Sequence, residues 1–197
     1  MSDPLDTAAK AYSASTLKNA CEFAGILSSY LLQNRLLRGI HEYYSLQITL
    51  VMQLYIFAIH ASGYLVFEKL GQEKHDIFME RMLNSFLEDA PGEISIFLSE
   101  SEAGITVETV KSATQNLIEF YNTSARLLRI KTNDMKDFSA AALTELVQRQ
   151  FIESGGYGNL IELNESSRER ILPTIKDMLD SFGLEFQKDV NTKLSSF

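Results

Sequence analysis

The sequence predicts an all-α protein folded as a single domain of six or seven helices, and three observations support this class. Only three of the 197 residues are proline, so long helices can form without interruption. Apolar side chains recur at alternating steps of three and four residues over several long segments, which is the period of a helix. The chain is also long enough to bury a core without disulfides, and Cys21 is its single cysteine.

Two long helices are predicted first, and they form an antiparallel hairpin over residues 5–70. The first helix follows one apolar stripe and stops near Gly39. This stripe consists of Ala9, Tyr12, Thr16, Ala20, Phe23, Leu27, Tyr30, Asn34 and Leu37. The second helix covers about His41 to Leu70, and Gly71 is suited to its C-cap. Because few residues connect the two helices, they must run antiparallel.

A third helix is predicted over residues 72–88. Phe78, Met82 and Phe86 share one of its faces, and the segment Asp89-Ala-Pro-Gly ends it. The next segment, residues 93–105, alternates in part as a strand would. In an otherwise helical chain we favour a short helix there.

Three further helices are predicted in the second half of the chain. Thr106 is a suitable N-cap for a helix over residues 106–131, and another helix follows over about 134–153. A glycine-rich break then separates these helices from the last one. The last helix covers residues 166–195 and begins with a capping box at Ser166.

The second predicted helix contains the least charged stretch of the chain, because residues 43–67 carry no formal charge. A helix of this length could cross either a membrane or a large protein core. Polar side chains near its middle are costly in hydrocarbon, and no lysine or arginine cluster marks a membrane flank. The polar residues also form one narrow stripe of Glu42, Ser45, Thr49, Gln53 and His60. We therefore predict a buried central helix and no membrane span.

A buried central helix must be covered on about three sides. The other helices of one chain can do this only if they surround it, and the alternative cover is a second copy of the protein. The sequence therefore also predicts a homodimer in which the hairpin forms part of the interface.

The balance of charge limits the partners of this chain. Its formal net charge is −8, which argues against a general affinity for nucleic acid or anionic lipid. The polar start, Met-Ser-Asp-Pro-Leu-Asp, does not resemble a signal peptide, so we expect a cytoplasmic protein. Six acids and no base lie between Asn84 and Val110. This run indicates either a solvated connection or a surface for a basic protein partner.

Catalytic and metal-binding patterns do not occur in the sequence at their usual spacings. The three histidines, His41, His60 and His75, lie on different helices or helix ends. Convergence of all three on a metal is one alternative. The simpler interpretation is one hydrogen-bonded histidine in the polar stripe and two at the surface. Cys21 lies among apolar neighbours, as a packed thiol does, and we predict no cofactor.

Aromatic side chains are concentrated in the first hairpin, where they could line an apolar pocket with hydroxyl groups. Core packing explains the same residues equally well. In a pocket, the polar stripe would supply the hydrogen-bonding groups. The candidate ligand-binding residues are Thr49, Gln53, His60, Tyr64 and Tyr30.

For function, these patterns favour a non-enzymatic helical protein-interaction module that acts as a homodimer. The lack of catalytic spacing, the acid-rich second part and the large apolar helix surface all point in this direction. The first alternative is a sensor or carrier that binds a small apolar or aromatic ligand in the first hairpin. The second alternative is a metal-dependent enzyme that uses the three histidines.

Overall fold

A computed structural model of the protein describes residues 3–34, 40–94 and 106–116, together with five short stretches near the C-terminus. Those stretches are 173–174, 177–178, 181–185, 188–189 and 191–195. The described chain is helical apart from caps and turns, and no strand occurs in it. The predicted all-α class is confirmed for these residues. The helix predicted over 134–153 lies outside them, as does the short helix predicted within 93–105 except for its first two residues.

The first helix, α1, spans Pro4–Gln33. Asp3 caps its start, because the Asp3 side chain accepts a hydrogen bond from the N–H of Leu5 at 3.1 Å. The same carboxylate accepts a hydrogen bond from Arg81 at 2.7 Å. Arg81 first, and the Leu5 N–H second, hold the pKa of Asp3 below its usual value. The start of α1 is thus tied to the next helix of the chain.

The end of α1 differs from the prediction. The helix ends at Gln33, so the predicted end near Gly39 is wrong. Asn34 explains the earlier end, because its side-chain amide donates a hydrogen bond to the Tyr30 carbonyl at 2.8 Å. A local bond of this kind competes with the next helical turn.

One face of α1 is buried along its whole length. Five members of the predicted stripe lie on this face: Ala9, Tyr12, Thr16, Ala20 and Leu27. Phe23 and Tyr30 are half-buried. The helical period therefore identified the buried face of α1 from the sequence.

The second helix, α2, spans Ile40–Glu93 and contains a kink at Gly71. Gly71 has φ 76° and ψ 173°, a backbone conformation that is open essentially to glycine alone. We call residues 40–70 the first arm of α2 and residues 72–93 the second arm. The helix break predicted at Gly71 is confirmed.

The two arms fold back on each other about Gly71. Phe67 and His75, each four residues from the bend, meet edge-on with ring centroids 6.0 Å apart. Farther from the bend, Tyr55 stacks on Phe86 with centroids 4.0 Å apart. Because residues at nearly equal distances from Gly71 meet, the arms lie side by side and antiparallel.

The second arm continues past its predicted end at residue 88 and includes Pro91. A proline inside a helix removes one backbone hydrogen bond. Burial of Ala90 and Ile94 offsets this loss, and the N–H of Ile94 donates to the Ala90 carbonyl at 2.9 Å. Packing of the last turn against the core therefore overrides the local stop signal.

The first arm is buried on several sides. Every described side chain from residue 47 to residue 59 is buried, and these positions cover about two thirds of the helix circumference. They are Gln47, Ile48, Leu50, Val51, Met52, Leu54, Tyr55, Ile56, Ala58 and Ile59. The predicted buried central helix is confirmed for these side chains. Residues of the same chain bury these side chains, so their burial does not require a second copy of the protein.

The described part of the chain contains no candidate membrane span. Its helices include no window that combines the necessary length with sufficient apolar character and few charges. The prediction of no membrane span agrees with this finding.

Helical residues between 173 and 193 pack along α1. The ring of Phe182 lies 5.2 Å from that of Phe23, and the Ser15 hydroxyl donates to the Asp189 carboxylate at 2.5 Å. Asp189, the later contact residue of the C-terminal segment, meets Ser15, which lies nearer the start of α1 than Phe23 does. The two therefore run antiparallel.

Residues 107–116 form another helix, and Thr106 caps it as predicted. The Thr106 hydroxyl oxygen accepts a hydrogen bond from the N–H of Thr109 at 3.2 Å. Val110 and Thr114 are buried and mark its inward face. The later part of this predicted helix, beyond residue 116, lies outside the described residues.

Replacement of Leu54 by alanine tests the burial of the first arm. Leu54 is fully buried. Leu54→Ala should lower the free energy of unfolding by about 2–5 kcal/mol, because apolar contact is lost and a cavity remains. The same change at Leu184, which is 60 % exposed, should cost about 0.5 kcal/mol or less. Urea denaturation followed by circular dichroism measures both, and equal losses would contradict the burial of the first arm.

Candidate functional site

A first polar cluster inside the core joins α1 to both arms of α2. The Tyr55 hydroxyl donates to the Met82 carbonyl at 3.1 Å. Ser13 Oγ lies 2.5 Å from the Tyr55 oxygen and 3.3 Å from the same carbonyl. Every polar atom of this cluster has a partner, so the cluster serves as an internal structural contact.

The Tyr55 hydroxyl stays protonated over the neutral pH range. Burial raises the pKa of Tyr55 far above its ordinary value, because the ionised form would be separated from water. The hydrogen bond with Ser13 lowers this pKa in part, and the carboxylate of Asp89 raises it further. The cluster therefore keeps its proton and does not suit acid–base chemistry at neutral pH.

A second polar cluster lies between the last turns of α1 and the first turns of α2. Gln47 Nε2 donates to the Tyr43 hydroxyl oxygen at 3.1 Å, and Ser29 Oγ lies 3.3 Å from that oxygen. The α1 backbone passes close to this amide at Gly25, because a Cβ placed there would lie in ordinary van der Waals contact with Gln47 Nε2, at 3.5 Å. We call these four residues the Gln47 cluster. They bring an amide group of α2 directly against α1.

The amide oxygen of Gln47 is buried without a hydrogen-bond partner among the described residues. Gln47 is only 3 % exposed. A buried acceptor without a donor costs about 1–3 kcal/mol, so such an atom calls for a protein group, a water or a ligand. Because the oxygen can only accept, whatever fills this place must present an N–H or an O–H. The Gln47 cluster is therefore the candidate site within the core.

Only one of the predicted ligand-binding residues has a described side chain. Tyr30 is half-buried, packs against the apolar core and adjoins the Gln47 cluster in sequence. The side chains of Thr49, Gln53, His60 and Tyr64 lie outside the described residues, and only their helical backbone is seen. The predicted polar stripe therefore stays a prediction.

The described residues bring no set of metal ligands together. Within them, no group of three or more histidine, cysteine, aspartate or glutamate side chains could hold a metal ion. His75 Nδ1 lies 2.8 Å from the carboxylate of Asp76. The side chains of His41 and His60 lie outside the described residues, so the three-histidine centre stays a prediction.

Cys21 is a half-buried free thiol on α1. Burial raises its pKa to about 11, and the carboxylates of Glu93 and Glu22 add to the effect. A nucleophilic cysteine requires a lowered pKa, because the thiolate is the reactive form. At neutral pH Cys21 is therefore a protonated, packed thiol and is not activated as a nucleophile.

The outer face of the second arm carries acidic side chains on one helical face. This acidic row consists of Glu73, Asp76, Glu80 and Glu88, all of them exposed. Half-buried Ile77 and Leu87 lie between them. Hydrogen bonds from Gln72 and then His75 hold the pKa of Asp76 below its usual value. Asp76 therefore keeps its negative charge at neutral pH.

The sequence alone gives only a weak signal for the Gln47 cluster and for the acidic row. Gln47 lies off the predicted polar stripe, although its spacing of four residues from Tyr43 places both on one face of a helix. The acidic row begins before the acid-rich run that starts after Asn84. Its steps of three, four and eight residues keep the four acids on one face of the third predicted helix, and this spacing is the signal that could have identified it.

Comparison of the chain with protein-family models, with curated proteins and with solved structures finds no significant match. The geometry of its own residues is therefore the basis for a functional proposal.

Proposed function

We propose that this protein is a non-enzymatic helical module that acts through protein contacts in the cytoplasm, as a homodimer that binds a basic protein partner. Its architecture in this proposal is one domain, residues 1–197, with six or seven helices built around the antiparallel hairpin 5–70. The acidic row on the second arm of α2 is the observation that carries the proposal.

The acidic row suits a protein partner because it combines charge with apolar surface. Four exposed carboxylates on one face create a local negative potential that attracts basic groups. Ile77 and Leu87 lie between these charges and keep part of their surface accessible. A basic amphipathic helix could therefore pair its charges with the row and cover the two apolar side chains.

The same charges keep the row out of a contact between two copies of the chain. A symmetric contact through it would bring four carboxylates from each copy face to face. Juxtaposed like charges disfavour association. In this proposal the homodimer contact therefore lies elsewhere, and the row stays available for the basic partner.

Charge reversal within the row tests the basic partner. Glu80→Lys combined with Glu88→Lys replaces two exposed carboxylates by ammonium groups. Immobilised wild type should retain basic proteins from an extract of the native organism at low salt and release them at high salt, because charge carries the contact. Quantitative mass spectrometry should find these proteins depleted about tenfold or more on the variant.

The matched control reverses two exposed acids away from the row, Glu22→Lys with Glu185→Lys. This variant has the same net charge as the test variant and should retain the same proteins as the wild type. Equal depletion on both variants would contradict a specific role of the row. An absence of retained basic proteins on the wild type would contradict the partner itself.

The mass of the purified chain tests the homodimer. Light scattering coupled to size-exclusion chromatography at micromolar concentration should give twice the 22.2 kDa of one chain. A clean monomer under these conditions would refute the homodimer and leave the basic partner to be tested separately.

A second candidate function is the binding of a small apolar or aromatic ligand in the first hairpin, and the buried oxygen of Gln47 favours it. This oxygen needs a donor that the described residues do not supply. The rings of Tyr43 and Tyr44 meet edge-on at 5.3 Å close to it in sequence, which adds aromatic surface. A ligand with one N–H or O–H on an aromatic ring fits both features.

Gln47→Met tests this ligand site, because methionine has a similar volume and lacks the acceptor. In a thermal-shift screen of phenol and indole derivatives, a binder at a hundred times its Kd should raise the Tm of the wild type by about 5–10 °C. The shift should vanish in Gln47→Met and persist in the control Gln33→Met, where the glutamine is exposed. Equal shifts in both variants, or none in the wild type, would count against the site.

A further inference from the structure

We propose that two copies of this chain exchange the second arm of α2 by straightening at Gly71. Each second arm then packs onto α1 and the first arm of the other copy. This inference rests on the proposed homodimer and identifies its interface.

The bend between the arms depends on the backbone of one residue. Gly71 is the residue within α2 that has non-helical angles, at φ 76° and ψ 173°. A Cβ built on Gly71 meets no described atom within 4 Å beyond its chain neighbours and its own helix backbone. The bend is therefore maintained by glycine's conformational freedom and by contacts between the arms, and not by packing around the glycine.

The residues on both sides of Gly71 favour a continuous helix. Glu68-Lys-Leu precedes the glycine and Gln72-Glu-Lys follows it, and all six residues are strong helix formers. In a straight α2, Lys69 and Glu73 would lie four residues apart on one face, where opposite charges attract. A straightened α2 would be an ordinary helix about 80 Å long.

Arm exchange preserves the contacts between the arms. The stacking of Tyr55 on Phe86 and the hydrogen bond from Tyr55 to the Met82 carbonyl would form between two copies instead of within one. The ion pair of Arg81 with Asp3 would do the same. We call the monomer with folded-back arms the closed form and the dimer with exchanged arms the exchanged form. Both contain the same core contacts, so their free energies differ chiefly through the hinge conformation and the entropy of association.

Exchange also leaves the acidic row at the surface. The row lies on the outer face of the second arm, opposite the side that packs against α1 and the first arm. An exchanged dimer therefore avoids contact between two negative faces.

Gly71→Ala shifts the balance toward the exchanged form. Alanine disfavours the φ and ψ angles that Gly71 adopts in the bend, and it favours a straight helix. A dimer contains two such hinges, so both effects count twice. We expect the dimer association constant to rise more than about a hundredfold, measured by light scattering over a dilution series. Gly92→Ala is the matched control, because Gly92 lies within the second arm and an added Cβ there meets no described side chain within 4 Å. Its association constant should match that of the wild type.

Cross-linking separates arm exchange from any other dimer. In a Cys21→Ser background, Phe67→Cys and His75→Cys place thiols on opposite sides of the bend, where the native rings lie 6.0 Å apart. A short bismaleimide should link them within one chain in the closed form and between two chains in the exchanged form. Denaturing gels distinguish the two products. Links between chains are expected for Gly71→Ala and for a wild-type dimer.

The outcomes separate this inference from the proposed homodimer. A wild-type dimer linked only within single chains would overturn arm exchange and leave the homodimer standing. A wild-type monomer would refute the homodimer and, with it, arm exchange in the wild-type chain, even if Gly71→Ala forms a dimer linked between chains.

A Gly71→Ala protein that is monomeric, or unfolded by circular dichroism, would overturn arm exchange, because the exchanged core should be intact. Insertion of two glycines after Gly71 provides a second variant, in which a longer hinge lets each chain close on itself. This variant should be monomeric and linked within single chains. Dimers with links between its chains would also overturn the inference.

Discussion

The buried hydroxyl of Tyr55 is the constraint on which the packing of the described chain depends. Its ring is enclosed and stacks on Phe86, so its oxygen must find partners inside the core. Ser13 of α1 and the Met82 carbonyl of the second arm supply them. These bonds form only when α1 and both arms of α2 lie next to one another at Ser13, Tyr55 and Met82. The reversal of the chain at Gly71 brings the second arm to this position.

The two polar clusters show how similar burial leads to different consequences. Tyr55 has two partners, which makes its cluster an internal brace between helices. Gln47 is nearly as deeply buried, but its amide uses only the nitrogen, through Tyr43, and the oxygen has no donor within the described residues. A satisfied cluster specifies one arrangement of helices, whereas an unsatisfied acceptor creates a demand for a further group. This difference is why the candidate ligand site lies at Gln47.

The acidic row on the outer face of α2 and the hinge at Gly71 are compatible with one mode of dimerisation. The acidic row points away from the core, so association of the chain with itself does not need to cover it. Exchange of the second arm at Gly71 would join two copies through contacts that the closed chain already contains. Each dimer would then display two acidic rows, and a partner with two basic segments would gain avidity by binding both.

The sequence was sufficient for the all-α class, the buried face of α1, the cap at Thr106 and the break at Gly71. These features depend on backbone conformation and on contacts within a few residues, which periodicity and local chemistry report directly. The continuation of the second arm through Pro91, the contact of the Gln47 cluster with α1, and the partners of Tyr55 required the tertiary structure. Four of the five predicted site side chains lie outside the described residues, so the candidate site came from geometry instead. Helical period tells which face of a helix is apolar, but only packing decides which atoms of two distant segments meet.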